Sequence, residues 1–560
     1  MRWSLLVGAW VAVAFRGTGA APTLDHVFPA AVQKGTTNTV TLVGKFEPWP
    51  PRLWLDGSGV TMEPTTNSGV ITVVVASDAP EGTRFLRAFN DEGASAPRFL
   101  AVTSEPQTAE VEPNHDENAP QRIESLPATV NGRLEKNGDV DAFAVTLRAG
   151  QTLVAWAEAY TLMSPIDPVL RLVDSKGVQR AWNHDEVGSL DPFLAWTAPS
   201  DGTYRVQVFG FAYPADSDIR FTGNARCVYR LHLHGGPVAA YPWPLGVRRG
   251  AVTPVVWRGW NRTGDTNAAV DLDGMGIGAD EWTVDRKAPG LARALRIPVG
   301  DGPEAIEREP NSSRETAQAV EVPSAVSAVL DEGGDEDRYG FRAAKGQALT
   351  LEVQAASLGF PLDAWLRVED AAGKELARND DAQGADPRLD WTAPDEGAYV
   401  AVVGSLVKRY GMDQRYRISF RPAQPRLVAT VGENAFSLKP GQTNTISVTL
   451  ARQSGHAVPL TVTVDGLPDG VSAAPVEASD KAGDATVSLV ASTNAPAFQG
   501  PFQIRVAEKD SGREQRARFS LVSVGENNGV PQGYRRLVRE TVSDLWLTVL
   551  PPPPPSTNAP

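Results

Sequence analysis

The sequence predicts an all-β chain, a tandem array of β-sandwich domains. Three observations predict it. Short apolar–polar alternations recur along the chain, as in residues 152–156, 203–208, 349–353 and 461–464, and each is bounded by Gly, Pro, Asp or Asn. Outside the extreme N-terminus, no long window carries an apolar period of 3.6 residues. The chain is also 560 residues long, more than one hydrophobic core supports, so it divides into several domains.

Taken in order, Met1-Arg2-Trp3 is a short positive start, residues 4–15 are an apolar run, and Thr18-Gly19-Ala20 supplies small residues for cleavage. That three-part pattern predicts a signal peptide over 1–20. The run is too short to span about 30 Å of hydrocarbon, so the mature chain is expected to be secreted, periplasmic or at the cell surface, with no transmembrane segment. A first unit follows at 21–105. A second, 106–236, returns as a fourth, 304–422. Glu110-Val111-Glu112-Pro113-Asn114 matches Glu307-Arg308-Glu309-Pro310-Asn311, and Asp139-Val140-Asp141 matches Asp335-Glu336-Asp337. Further on, Trp196-Thr197-Ala198-Pro199 matches Trp391-Thr392-Ala393-Pro394. The offset drifts only from 197 to 195 over this stretch, which identifies a duplication. The third unit, 237–303, repeats the first more faintly, with Trp243-Pro244 against Phe28-Pro29. A fifth unit, 423–550, ends in a predicted strand over 544–550. Residues 551–560 form a Pro-rich tail with no core of its own.

Charge and composition exclude several function classes. Asp and Glu total 67 against 53 Lys and Arg, so the net charge is -14, and nucleic acid is not the expected partner. The single cysteine, Cys227, excludes an internal disulfide framework and any zinc site built on several thiolates. The duplicated acidic motif carries the chemistry. In extended chain, residues two apart point the same way, so Glu110, Glu112 and Asn114 share a side, as do Asp139 and Asp141. The second copy offers Glu307, Glu309, Asn311, Asp335 and Asp337. Four carboxylates and an amide oxygen form a hard donor set suited to Ca²⁺, which takes 6–8 oxygens. Without a cation they would repel one another and resist ionisation. The spacing does not fit an EF-hand loop.

On these residues, together with the Asn183/Asp185 and Asn379/Asp381 turns and Gly202-Thr203-Tyr204 against Gly397-Ala398-Tyr399, the second and fourth units resemble the bacterial pre-peptidase C-terminal (PPC) domain. The resemblance implies a small jelly-roll-like sandwich appended to secreted peptidases. It also implies Ca²⁺ held by the acidic linker residues and the Asp-x-Asp pair of each copy. The first and third units resemble TIG-like immunoglobulin folds, and the fifth resembles a bacterial immunoglobulin-like domain.

Other residues read as structure. Asn183, Asp185, Asn379, Asp380 and Asp381 are read as turn formers. His232 and His234 share one strand face, but no third ligand lies near them in sequence. Cys227 is read as a buried, inert thiol. Of 14 tryptophans, Trp49, Trp54, Trp243, Trp257, Trp260 and Trp282 fall in the first and third units and are read as core, like the matched Trp196 and Trp391. No nucleophile elbow, His-Glu-x-x-His motif, phosphate loop or dinucleotide fingerprint occurs. The expected function is therefore non-catalytic: binding or scaffolding on an extracellular protein or polysaccharide, with Ca²⁺ as structural cofactor. The alternatives are an accessory chain of a secreted peptidase or other hydrolase, and a structural surface or adhesion spacer.

Overall fold

The computed structural model describes residues 20–551, apart from 116–118, 188, 214–216, 218–219, 263–266, 271–282, 288–293, 382–385, 482 and 525–535. The predicted signal up to Gly19, the tail beyond Pro551 and Trp282 lie outside the described residues. The chain is an all-β array of paired sheets. Among the described residues the one helical element is a 3-10 turn, Ala356–Leu358.

Alternation builds the strands. Thr443–Gln453 buries Ile446, Val448 and Leu450 while Thr445, Ser447 and Thr449 face water. Central strands of the duplicated units differ: Thr152–Glu158 is buried on both faces. Leu153, Ala155 and Ala157 enter the core with Leu231 and Leu233. Val154 and Trp156 point the other way and pack with Val238, Phe193 and Trp260. A neighbouring unit therefore covers what would otherwise be the solvent face.

The duplication is visible strand for strand. In the first copy one sheet runs Gln107–Ala109, Ala128–Arg133, Val228–His234, Thr152–Glu158, Phe193–Thr197. The facing sheet runs Gln121–Arg122, Asp141–Leu147, Gly202–Ala212, Ile166–Val173, Gln179–Asn183. The second copy repeats this order as Glu304–Ile306, Ser324–Val329, Arg415–Pro422, Ala348–Gln354, Arg388–Thr392 and Gln318–Ala319, Glu336–Ala343, Gly397–Ser405, Ala364–Glu369, Glu375–Asn379. In each copy the segment entering the unit joins as a parallel edge strand: Gln107–Ala109 on Ala128–Arg133, and Glu304–Ile306 on Ser324–Val329. The duplicated acidic residues follow directly from these edge strands.

Within the array the first unit packs on the fifth. Trp546, on the strand Leu545–Val549, meets Trp54 and Phe89 at ring-centroid distances of 5.5 and 5.2 Å. Arg87 lies over the same indole and donates to Asn434 Oδ1 at 2.7 Å. A large apolar ring on a sheet surface gains more from burial than from water, and here its cover comes from a unit more than 400 residues away in sequence.

Candidate cation sites at the duplicated junctions

The strand Gln107–Ala109 ends one residue before Glu110, so Glu110 to Asn114 is irregular backbone, not the extended strand that alternation implies. Extension alone therefore does not align these side chains; long-range bonding does. The Glu110 N–H donates to Asn131 O (3.0 Å), and the Arg133 N–H donates to Glu110 Oε1 (2.7 Å). The second copy repeats both contacts, Glu307 N–H to Ser327 O (3.0 Å) and Val329 N–H to Glu307 Oε1 (2.9 Å). Gln121 and Gln318 each accept from the linker backbone, at Val111 (2.8 Å) and Arg308 (2.7 Å). The Glu112–Pro113 and Glu309–Pro310 bonds are cis in both copies.

The chain then returns with the second pair of acids. Gly138 and Gly334 turn it at φ of +86° and +89°, conformations that favour glycine, immediately before Asp139 and Asp335. Oxygens of Glu110, Glu112 and Asp141 all lie within 4.8 Å of one another, as do those of Glu307, Glu309 and Asp337. Asn114 and Asn311 are wholly buried, and their side-chain amides make no hydrogen bond. Asp141 Oδ1, Asp337 Oδ1, Asp335 Oδ2 and Glu307 Oε2 are likewise buried without a hydrogen-bond partner. Asp139 sits differently: its Oδ2 caps the Glu135 N–H at 2.6 Å.

A tyrosine closes the floor of each cluster. The Tyr229 hydroxyl donates to Asp141 Oδ2 (2.6 Å) and lies 3.2 Å from Glu110 Oε2. Tyr416 donates to Asp337 Oδ2, and Tyr339 joins it at 2.8 Å. Sequence reading missed Tyr229 and Tyr416, although the matched pairs Tyr229-Arg230 and Tyr416-Arg417 were a usable signal. Gly132 makes room for Tyr229, since a Cβ there would stand 2.2 Å from the ring.

The electrostatics are those of crowded, buried acids. Burial, then the neighbouring Asp337, pushes Glu307 up to about 9. Burial, with Asp335 and Glu309 beside it, pushes Asp337 up to about 8. Glu110 and Asp141 are raised together, chiefly by burial and then by neighbouring acids. A bound cation would reverse this penalty. One Ca²⁺ at about 2.4 Å from each oxygen spans ligand oxygens up to about 4.8 Å apart, so the cluster dimensions and the unpaired oxygens fit one such ion per copy.

Cys227 is buried, and burial pushes its thiol up to about 11. Trp257 and Trp391 are buried; Trp49, Trp54, Trp196, Trp243 and Trp260 are half-buried. Asn379 behaves as a turn former, accepting the Arg388 N–H at 3.0 Å. In the first copy the corresponding turn brings Asp167, His184 and Asp185 within 4.8 Å of one another. His232 and His234 are joined by Glu105, which sequence proximity could not reveal.

No protein-family profile matches the chain. A stretch of 111 residues, 19% of the chain, is 32% identical to a probable subtilase-type serine protease of Deinococcus radiodurans, and it spans 15% of that protein's length. Among solved structures, the pre-peptidase C-terminal domain of a Bacillus anthracis collagenase is similar over 20% of this chain and 99% of that domain, at 16% identity and a TM-score of 0.17. Escherichia coli alpha-2-macroglobulin aligns over 95% of this chain and 53% of its own, at 11% identity and a TM-score of 0.15. The surface-layer protein SbsC, domains 1–6, aligns over 94% and 58%, at 10% identity and a TM-score of 0.15. Among the described residues no helix is long and apolar enough to cross a membrane.

Proposed function

We propose that this chain is a secreted, non-catalytic binding or scaffolding protein in which two PPC-like units each hold a structural Ca²⁺ where the preceding unit joins. The observation that carries the reading is the duplicated cluster of buried acids with unpaired oxygens. In each copy Glu110, Glu112, Asn114 and Asp141, or Glu307, Glu309, Asn311 and Asp337, would hold the ion. Asp139 and Asp335 would add charge at its flank. Neutralised by Ca²⁺, the linker acids bind the incoming segment to the sheet and fix how one unit follows another. A stiff array of this kind suits display of a binding face to an extracellular protein or polysaccharide.

The double variant Glu112→Ala/Glu309→Ala tests it. These two side chains are the exposed members of the clusters, so the fold survives their loss. Wild type is expected to gain thermal stability on calcium addition and the variant to gain little. Equal gains in both would overturn the reading. A second reading, an accessory chain of a secreted peptidase, is supported by the sequence match to the Deinococcus protein. Peptidase activity on a broad substrate panel by the purified chain itself would contradict both readings.

A further inference from the structure

His232 and His234 alternate with Leu231 and Leu233, so when the leucines enter the core both imidazoles stand on the opposite sheet face. That face is covered. His232 is 4% exposed and His234 6%. Trp156 stacks on both rings, at 4.6 and 4.9 Å. The linker leaving the first unit passes here and brings Glu105, so one donor atom from each of Glu105, His232 and His234 lies within 4.8 Å of the others. Thr129 Oγ1 is 3.1 Å from His232 Nδ1, which leaves Nε2 as that ring's remaining nitrogen. Nε2 is buried and faces Glu158 Oε1 at a long 3.5 Å. Glu158 is itself engaged by Arg230 at 2.7 Å.

We propose that Glu105, His232 and His234 form a site for a borderline divalent transition metal of the Zn²⁺ class, separate from the acidic clusters and independent of the Ca²⁺ reading. Two imidazoles and one carboxylate are a common donor set for such ions, and a polar partner on the other nitrogen of a liganding imidazole is its usual support. The metal would fasten the linker after the first unit to the outer face of the second.

The duplication supplies an internal comparison. Trp156 pairs with His232 in the first copy, and Glu352 pairs with Ser419 at the same place in the second. Thr129 and His232 correspond to Ala325 and Ser419. His234 corresponds to Arg421 and Glu105 to Gly302. A Cβ at Gly302 would stand 2.1 Å from Pro323 O, so no carboxylate can be carried there. The second copy instead holds that junction with a buried ion pair, Arg417 to Glu304 at 2.6 Å. Donors and support are thus present together in one copy and absent together in the other, whereas the acidic clusters are in both.

The test is calorimetric titration of ZnCl₂ into the full chain, stripped with chelator and returned to excess calcium. One Zn²⁺ per chain is expected. Affinity should fall at least about tenfold in Glu105→Gln and in His234→Gln, the size that loss of supporting contacts alone can reach. Glu105→Gln alters a half-exposed linker side chain and keeps the fold, which an unchanged melt in calcium alone will verify. As a second readout, Cu²⁺ should quench tryptophan emission less in Trp156→Phe than in wild type. No Zn²⁺ binding, or equal affinity in wild type and both variants, overturns the proposal.

Discussion

Glu307→Gln should change stability in opposite directions with and without calcium. In the cation-free protein Glu307 is held near 9 against an ordinary 4.5. At about pH 8 the unfolded chain carries this group ionised while the fold holds it neutral. The difference costs about 1.4 kcal/mol per pH unit above 4.5, or about 5 kcal/mol as an upper bound. Glu309 opens the cluster to water, which raises the effective dielectric and reduces the cost to about 2 kcal/mol. Glutamine has the same shape, cannot ionise, and still accepts the Val329 N–H made at 2.9 Å. The variant should therefore melt higher than wild type in chelator, by several degrees. In calcium it loses a charged ligand, and a hundredfold weaker site removes about 2.7 kcal/mol of ligand stabilisation, more than the gain of about 2 kcal/mol seen in chelator. Calorimetric melts of both proteins, each with chelator and with calcium, measure the crossover. A variant less stable than wild type in chelator would refute the claim that Glu307 is a carboxyl waiting for a cation.

In chelator, stability should fall as pH rises from about 4.5 to 9, because raised carboxyls contribute stability below their ordinary range and lose it through the values near 8 and 9; melts across that range with and without calcium should show the fall abolished by the ion. Tyr416→Phe should weaken calcium binding and cost about 1–2 kcal/mol, since Asp337 Oδ2 loses its buried donor; titration and melting of the variant check it. Trp546→Ala should release the first unit from the fifth and cost about 3–5 kcal/mol, and small-angle scattering should show a larger radius of gyration than wild type.

Much of the fold was legible because its signals are local. Alternation and turn residues marked the strands, and the final strand expected over 544–550 is Leu545–Val549. The acidic clusters were legible because duplication preserved their spacing while nearby positions drifted. What sequence could not show depends on distant partners. Tyr229 reaches Asp141 across 88 residues. Trp546 finds its cover in Trp54 and Phe89. Alternation also misdescribed Glu110 to Asn114, because the edge strand stops at Ala109 and hydrogen bonds to Ala128–Arg133 take over the positioning. His232 and His234 looked unsupported for the same reason: Glu105 precedes them by more than a hundred residues and is brought close only by the linker's path.

The central claim is that each duplicated junction takes one calcium ion. Calorimetric titration of CaCl₂ into the chelator-stripped chain tests it most directly. Two sites per chain are predicted, reduced to one by Glu307→Gln/Asp337→Asn. No saturable binding, or two sites persisting in that variant, would contradict it.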